Sequence, residues 1–164
     1  RSIRAIVMMH AYMLMQSGIP MLYSGDEIGQ VNDYTYKEDP DKCVDSRYIH
    51  RGKFHWELVE NCTDSSTVQG KIFQALGRLE MIRRQESAFD ADADTCMLET
   101  GDDSVLGIAR KKGKELLIGL FNFHDQERVV RISEEGKFRN LTDGGLLSLD
   151  EVKLPGHGFL WVKR

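Results

Sequence analysis

The sequence carries no excess of positive charge. Lys and Arg number 22 against 26 Asp and Glu, for a formal net charge of −4. That balance offers no electrostatic footprint for DNA, RNA or an anionic membrane, so neither nucleic acid nor membrane is expected as a partner. A long hydrophobic run is missing as well. The apolar stretch near the N-terminus ends by Gly18 and is broken by His10 and Gln16, too short to span a bilayer. Cysteine is scarce: Cys43, Cys62 and Cys96 are odd in number and irregular in spacing. Secreted disulfide scaffolds carry dense, even-numbered cysteines, so the expected compartment is the reducing cytoplasm. The triplets Asn61-Cys62-Thr63 and Asn140-Leu141-Thr142 match a glycosylation pattern that means nothing without secretion. A basic start followed by apolar residues resembles a signal peptide, yet no small-residue cleavage site follows. There is no initiator Met, and a chain opening mid-helix on Arg1 is expected to be cut from a longer protein. Cys43, His50 and His55 fit no paired zinc spacing, and no metal or cofactor is expected.

What is present is an ordinary globular composition over 164 residues, 41% hydrophobic and 29% charged. Ile3, Ile6, Val7, His10, Ala11 and Leu14 recur at helical spacing, with methionines on the other faces, which predicts a helix buried nearly all round. Gly18 is placed to cap it. Ile19 to Gly25 is a short apolar run between turn residues, the pattern of a buried parallel strand with Pro20 at its start. From Asp26 to about Ser65 periodicity vanishes and polar and aromatic residues take over, as in a long functional loop. Asp64 to Thr67 offers helix N-caps, followed by an amphipathic stripe of Val68, Ile72, Phe73, Leu76, Leu79 and Ile82. After Ala88 short strands follow one another: 104–110, 115–123, 128–132, 137–141, 146–149, 151–154 and 159–162. Their even spacing predicts an antiparallel sandwich, with a hairpin turn at Lys111-Lys112-Gly113-Lys114.

The run Gly18-Ile19-Pro20-Met21-Leu22-Tyr23-Ser24-Gly25-Asp26-Glu27-Ile28-Gly29 resembles the last barrel strand and following turn of α-amylase superfamily enzymes (glycoside hydrolase family 13). The continuation through Asn32-Asp33-Tyr34, Asp39-Pro40 and Asp45-Ser46-Arg47-Tyr48-Ile49-His50-Arg51 resembles the amylosucrase and sucrose-hydrolase branch. Leu154-Pro155-Gly156-His157-Gly158-Phe159-Leu160-Trp161 is similar to the closing strand of that family. The resemblance implies an α+β fragment. Residues 1–89 would be the last αβα segment of a TIM (β/α)₈ barrel, and 90–164 a C-terminal β-sandwich domain. It implies a parent that processes sucrose or α-glucans by a retaining mechanism, as glycosidase or glucosyltransferase, which requires two carboxyl groups close together. The family's three catalytic carboxylates lie on earlier barrel strands and have no counterpart here, so no catalytic residue is assigned and the fragment alone is expected to be inactive. The partners implied are the missing N-terminal barrel and the sugar substrate.

By the same resemblance Arg47 would reach the floor of the sugar pocket and pair with an aspartate from the barrel, with Asp45 beside it as substrate-binding. A planar fork of donors suits carboxylates and sugar hydroxyls. Val44 departs from the pattern, standing where relatives often have a second acid. Asp26, Glu27 and Asp33 would lie on the active-site face of the barrel, although capping a turn or binding neighbouring backbone amides is the favoured role for Asp26 and Glu27. Arg51 reads as structural. A different class stays open, a non-catalytic carbohydrate-binding or stabilising β-sandwich. Phe121, Phe123, Phe138, Phe159 and Trp161 are sparse and sit in apolar strands, which favours stabilisation. An oligo-α-glucosidase is a further alternative. An isolated fragment with one barrel strand would leave an unpaired edge and is expected to self-associate.

Overall fold

The computed structural model describes residues 2–164. It contains two compact units. One comprises residues up to Pro20 together with Ala75–Arg164, the other Met21–Gln74. The division expected at 89/90 concerns domains of a longer enzyme and follows a different line.

In the first unit, helix α1 (Ser2–Met15) buries Met8, Ala11, Leu14 and Met15. These residues make one stripe, and Met9 on another face is 47% exposed, so the helix is not apolar-buried all round as predicted. The second helix, α2 (Val68–Gln85), begins where the N-cap signal placed it. Thr67 Oγ1 accepts a hydrogen bond from Gly70 N at 2.9 Å, which fixes the cap. Only glycine fits at position 70, because a Cβ there would stand 1.9 Å from the Asp64 carbonyl oxygen.

Eight strands follow: β1 (Asp94–Leu98), β2 (Val105–Lys112), β3 (Glu115–Asn122), β4 (Arg128–Val130), β5 (Phe138–Asn140), β6 (Leu146–Leu147), β7 (Val152–Leu154) and β8 (Phe159–Lys163). Six form an antiparallel sheet in the order β1-β2-β3-β8-β5-β6, and β4 pairs with β7 in a small second sheet. The alternation of side chains along β3 explains its fully apolar sequence. Leu116, Ile118 and Leu120 join Val130, Val152, Leu154, Leu160 and Val162 in the core shared by the two sheets. Leu117, Gly119 and Phe121 point the other way, toward α1. Gly119 makes that approach possible, since a Cβ there would lie 3.2 Å from Met15 Cε. Tyr12 completes the contact edge-on to Phe121 and Phe123, with centroids 5.6 and 5.7 Å away.

Three polar side chains work inside this unit. Arg110 is 0% exposed. Its guanidinium donates to the carbonyls of Ala88 (2.8 Å), Met15 (3.0 Å) and Asp90 (2.6 Å). Arg83 donates to Leu14 O and Gly18 O, so two arginines satisfy carbonyls at and beyond the end of α1. Asn122, also 0% exposed, donates from Nδ2 to the carbonyls of Gln126, Leu154 and Pro155.

The predicted buried strand over 19–25 does not form. Ile19 is 85%, Met21 79% and Tyr23 53% exposed, and among the described residues no segment pairs with this run. An apolar run becomes a strand only where backbone partners exist on at least one edge. The barrel segment expected of residues 1–89 is therefore not formed here. Among the described residues no helix is long and apolar enough to cross a membrane.

Candidate functional site

The Met21–Gln74 unit is built from short 3₁₀ turns, at Asp26–Ile28, Thr35–Glu38, Ser46–His50 and Trp56–Thr63. Side chains two residues apart hold them. Asp33 Oδ1 accepts from Thr35 N (2.9 Å), Asp39 Oδ1 from Asp41 N (3.0 Å), and Asp64 Oδ1 from Ser66 N (2.8 Å). The loop is closed on itself by Asp33 N donating to Ile49 O at 2.8 Å and by His50 Nδ1 facing Asn32 Oδ1 at 3.1 Å.

Asp45 and Arg47 form the tightest polar constellation of the unit. Arg47 Nε donates to Asp45 Oδ1 at 2.8 Å and Nη2 to Oδ2 at 2.7 Å, a two-pronged contact. The backbone N of Arg47 donates to the same carboxylate at 3.0 Å. These bonds, the side-chain ones foremost, hold the Asp45 carboxyl down to about 2 and raise the Arg47 guanidinium. The partner of Arg47 in this chain is thus Asp45, and its side chain remains 72% exposed.

Arg47 borders an open cavity of about 460 Å³ lined also by Tyr23, Asp26, His50 and Arg51. Of the five residues singled out from sequence, Asp26 and Arg47 share this cavity, and Asp45 is joined to them through its bonds to Arg47. Glu27 does not join them. Its Oε2 accepts from Gly25 N at 2.9 Å, and it borders a separate apolar cavity of about 310 Å³ lined by Phe54, Trp56, Val59 and Phe73 among others. Asp33 borders a third cavity of about 610 Å³, with its carboxyl lowered by hydrogen bonds from Thr35. His50 and Arg51 were not singled out for substrate. Positions 47 and 50 lie three residues apart in one short 3₁₀ turn and so share a face, and Arg51 follows as its C-terminal cap.

No group of three or more His, Cys, Asp or Glu side chains that could hold a metal ion occurs among the described residues. Cys43, Cys62 and Cys96 are free thiols.

With this geometry in hand, the chain can be set beside known proteins. The chain matches several solved structures over 98% of its length. These include a maltogenic amylase from S. marinus (TM-score 0.65, 20% identity, 19% of that chain). A cyclic α-maltosyl-(1→6)-maltose hydrolase from Arthrobacter globiformis matches with TM-score 0.67 and 19% identity over 30% of its chain. Trehalose-6-phosphate hydrolase from Bacillus licheniformis gives TM-score 0.68 and 16% identity over 38% of its chain. These matches show the fold. Among curated proteins, glucosylglycerate phosphorylase of Escherichia coli K12 is 28% identical over 159 residues, which is 96% of this chain and 28% of that enzyme. No family model matches. The chain spans less than a third of the curated relative's length.

Proposed function

We propose that the chain is the C-terminal part of a retaining α-amylase-family enzyme that moves a glucosyl unit from sucrose or a related α-glucoside. The observation that carries this reading is the 159-residue likeness to a glucoside-splitting phosphorylase, which runs through nearly the whole chain. In that enzyme a carboxylate nucleophile on an earlier barrel strand would take the glucosyl unit, and water, phosphate or a growing glucan would release it. This chain supplies no such carboxylate. Its contribution would be Arg47 and Asp45 at the wall of the sugar pocket, with Asp26 beside them. Residues 1–89 would complete the barrel and 90–164 would form the sandwich that supports it. The sparse cysteines favour a cytoplasmic enzyme.

The test is turnover of sucrose, glucosylglycerate and maltodextrins by the longer enzyme, with and without inorganic phosphate. Release of fructose or glucose 1-phosphate is expected, and none from the 164-residue chain alone. Failure of the longer enzyme on every α-glucoside would sink the reading.

For residues 90–164 a stabilising role is favoured over sugar binding, because Phe121, Phe138 and Trp161 are 0% exposed. A carbohydrate platform needs its rings at the surface. Exposed Ile19 and Met21 support self-association of the isolated chain; light scattering across concentration would show a rising mass, and a constant monomer mass would refute it.

A further inference from the structure

We infer that the free edge of β1 is an interface between two copies of this chain, β1 (Asp94–Leu98) pairing antiparallel with the same strand of a second copy about a two-fold axis at Cys96. The inference is independent of the α-glucoside reading. The six-stranded sheet ends in β1 on one side and in β6 on the other. The β6 edge is two residues long, too short to template another strand. The β1 edge is five residues long, and among the described residues no backbone group of 94–98 bonds to backbone outside its ladder with β2. In an antiparallel ladder alternate residues turn N–H and C=O away from the partner, so about half of these groups are open to a further strand. The usual guards are missing as well. The run Asp94-Thr95-Cys96-Met97-Leu98 holds no proline and no lysine, and Asp94 to Met97 are exposed.

The strand fits its own reverse. With Cys96 at the centre, antiparallel pairing sets Asp94 opposite the partner's Leu98, Thr95 opposite the partner's Met97 and Cys96 opposite the partner's Cys96. Asp94 carries the only charge on the strand, so no like charges meet across the axis. A two-fold contact of this kind uses the same edge on both copies and therefore stops at two. A contact of five residues a side is smaller than the roughly 1,000 Å² of a lasting interface, so the pair is weak and populated at high concentration.

The experiment traps the pair through its central residue. In Cys43→Ser, Cys62 is buried and Cys96 is the one exposed thiol. Ile19→Ser and Met21→Ser are added throughout, so that association through those exposed side chains does not contribute. Diamide then takes one hydrogen from each of two thiols, becoming the hydrazine as the disulfide forms. Directly opposed residues lie within disulfide reach, with Cα atoms about 4.5–5.5 Å apart, whereas a diagonal pair at about 7–8 Å does not. Cys96 should therefore give a disulfide dimer on a non-reducing gel. Moving the thiol off the axis, with Cys96→Ser and Met97→Cys, keeps it at a position 65% exposed and should yield at least about tenfold less dimer. In the unsubstituted 164-residue chain, amide exchange at 94–98 should slow as concentration rises. Cys96→Lys sets two ammonium groups opposite one another and should abolish that slowing, while Cys96→Ser keeps it. Equal cross-linking from positions 96 and 97, or exchange at 94–98 that ignores concentration, overturns the inference. The exchange measurement needs no substitution and decides the matter where a variant fails to fold.

Discussion

In the sheet unit, Leu117, Ile118, Leu120, Phe121, Phe138, Trp161 and Val162 are all 0% exposed. In the Met21–Gln74 unit the buried apolar side chains among the described residues are Ile28, Tyr36, Cys62 and Ile72. Val31, Tyr34, Val44 and Trp56 there stand between 60% and 89% exposed. The first unit is held by non-local burial across antiparallel strands. The second is held by carboxylates that bond backbone two residues away, which fix local turns without excluding water. Every predicted site residue lies in the second. A loop shaped by local bonds can vary its side chains without disturbing a core, which is why binding groups accumulate in such segments.

The largest effect is expected from truncating one large aromatic in each unit. Phe121→Ala should cost about 3–5 kcal/mol in a denaturant melt, through lost burial and the cavity left against Tyr12. Trp56→Ala, at 74% exposure, should cost less than about 1 kcal/mol. Similar losses from the two would show that the loop unit has a core of comparable strength.

The next effect concerns the buried arginine. Arg110→Met should lose on the order of 3 kcal/mol, because three carbonyls within the unit give up a charged donor together. A neutral outcome would mean that the guanidinium's own burial cost cancels its bonds, as happens with some buried ions.

These two residues also mark how far the sequence could be read. Phe121 sits in a continuous apolar run whose only physical solution is a strand covered on both faces, and β3 was predicted within a residue. Arg110 looked like the polar end of a strand, since its carbonyl partners lie 20 to 95 residues away and leave no local pattern. Strand β1 escaped for the opposite reason. Asp94 to Cys96 are polar or small and exposed, paired only along the sheet edge, so hydrophobic alternation had nothing to register. The run at 19–25 failed because apolar content states a wish for burial and not the presence of a partner strand. In the loop unit, Asp45 and Arg47 were singled out through the family resemblance, which paired Arg47 with a barrel aspartate and not with Asp45. The convergence of His50, Arg51 and Tyr23 on one cavity depended on turns that leave only a faint trace in sequence.

Acid and base separate the two units further. Glu115 is held below its ordinary value of 4.5 by hydrogen bonds from Lys163 and Ser87. A folded value below the unfolded one means that this stabilisation is complete above about pH 4.5 and fades as pH falls through the folded value. For Lys163, burial pulls the ammonium down, but the bonds to Glu115 and Glu86 outweigh it and raise the group above 10.5. Its contribution therefore holds below pH 10.5 and is lost only as pH climbs through the raised value. Glu115→Gln should flatten the acid limb of a plot of Tm against pH. An acid limb parallel to the wild type would show that this network does not set it.

The smallest expected effect is at Asp45. Its carboxyl titrates at about 2, below an ordinary 3.8, because Arg47 binds it through both side chain and backbone. Its stabilisation is therefore complete above pH 3.8 and lost as pH falls toward 2. Both partners are solvent-accessible and only two residues apart, so water takes over most of what the pair gives up. Asp45→Asn should leave the melting temperature of the chain unchanged within error while freeing the Arg47 side chain, seen as sharper, more mobile Nε–Hε signals. Local order in the loop unit should then change while global unfolding, which reports the sheet, does not. A fall in Tm of several degrees in Asp45→Asn would mean instead that the Asp45–Arg47 turn belongs to the cooperative fold. The loop unit would then unfold together with the sheet and not ahead of it.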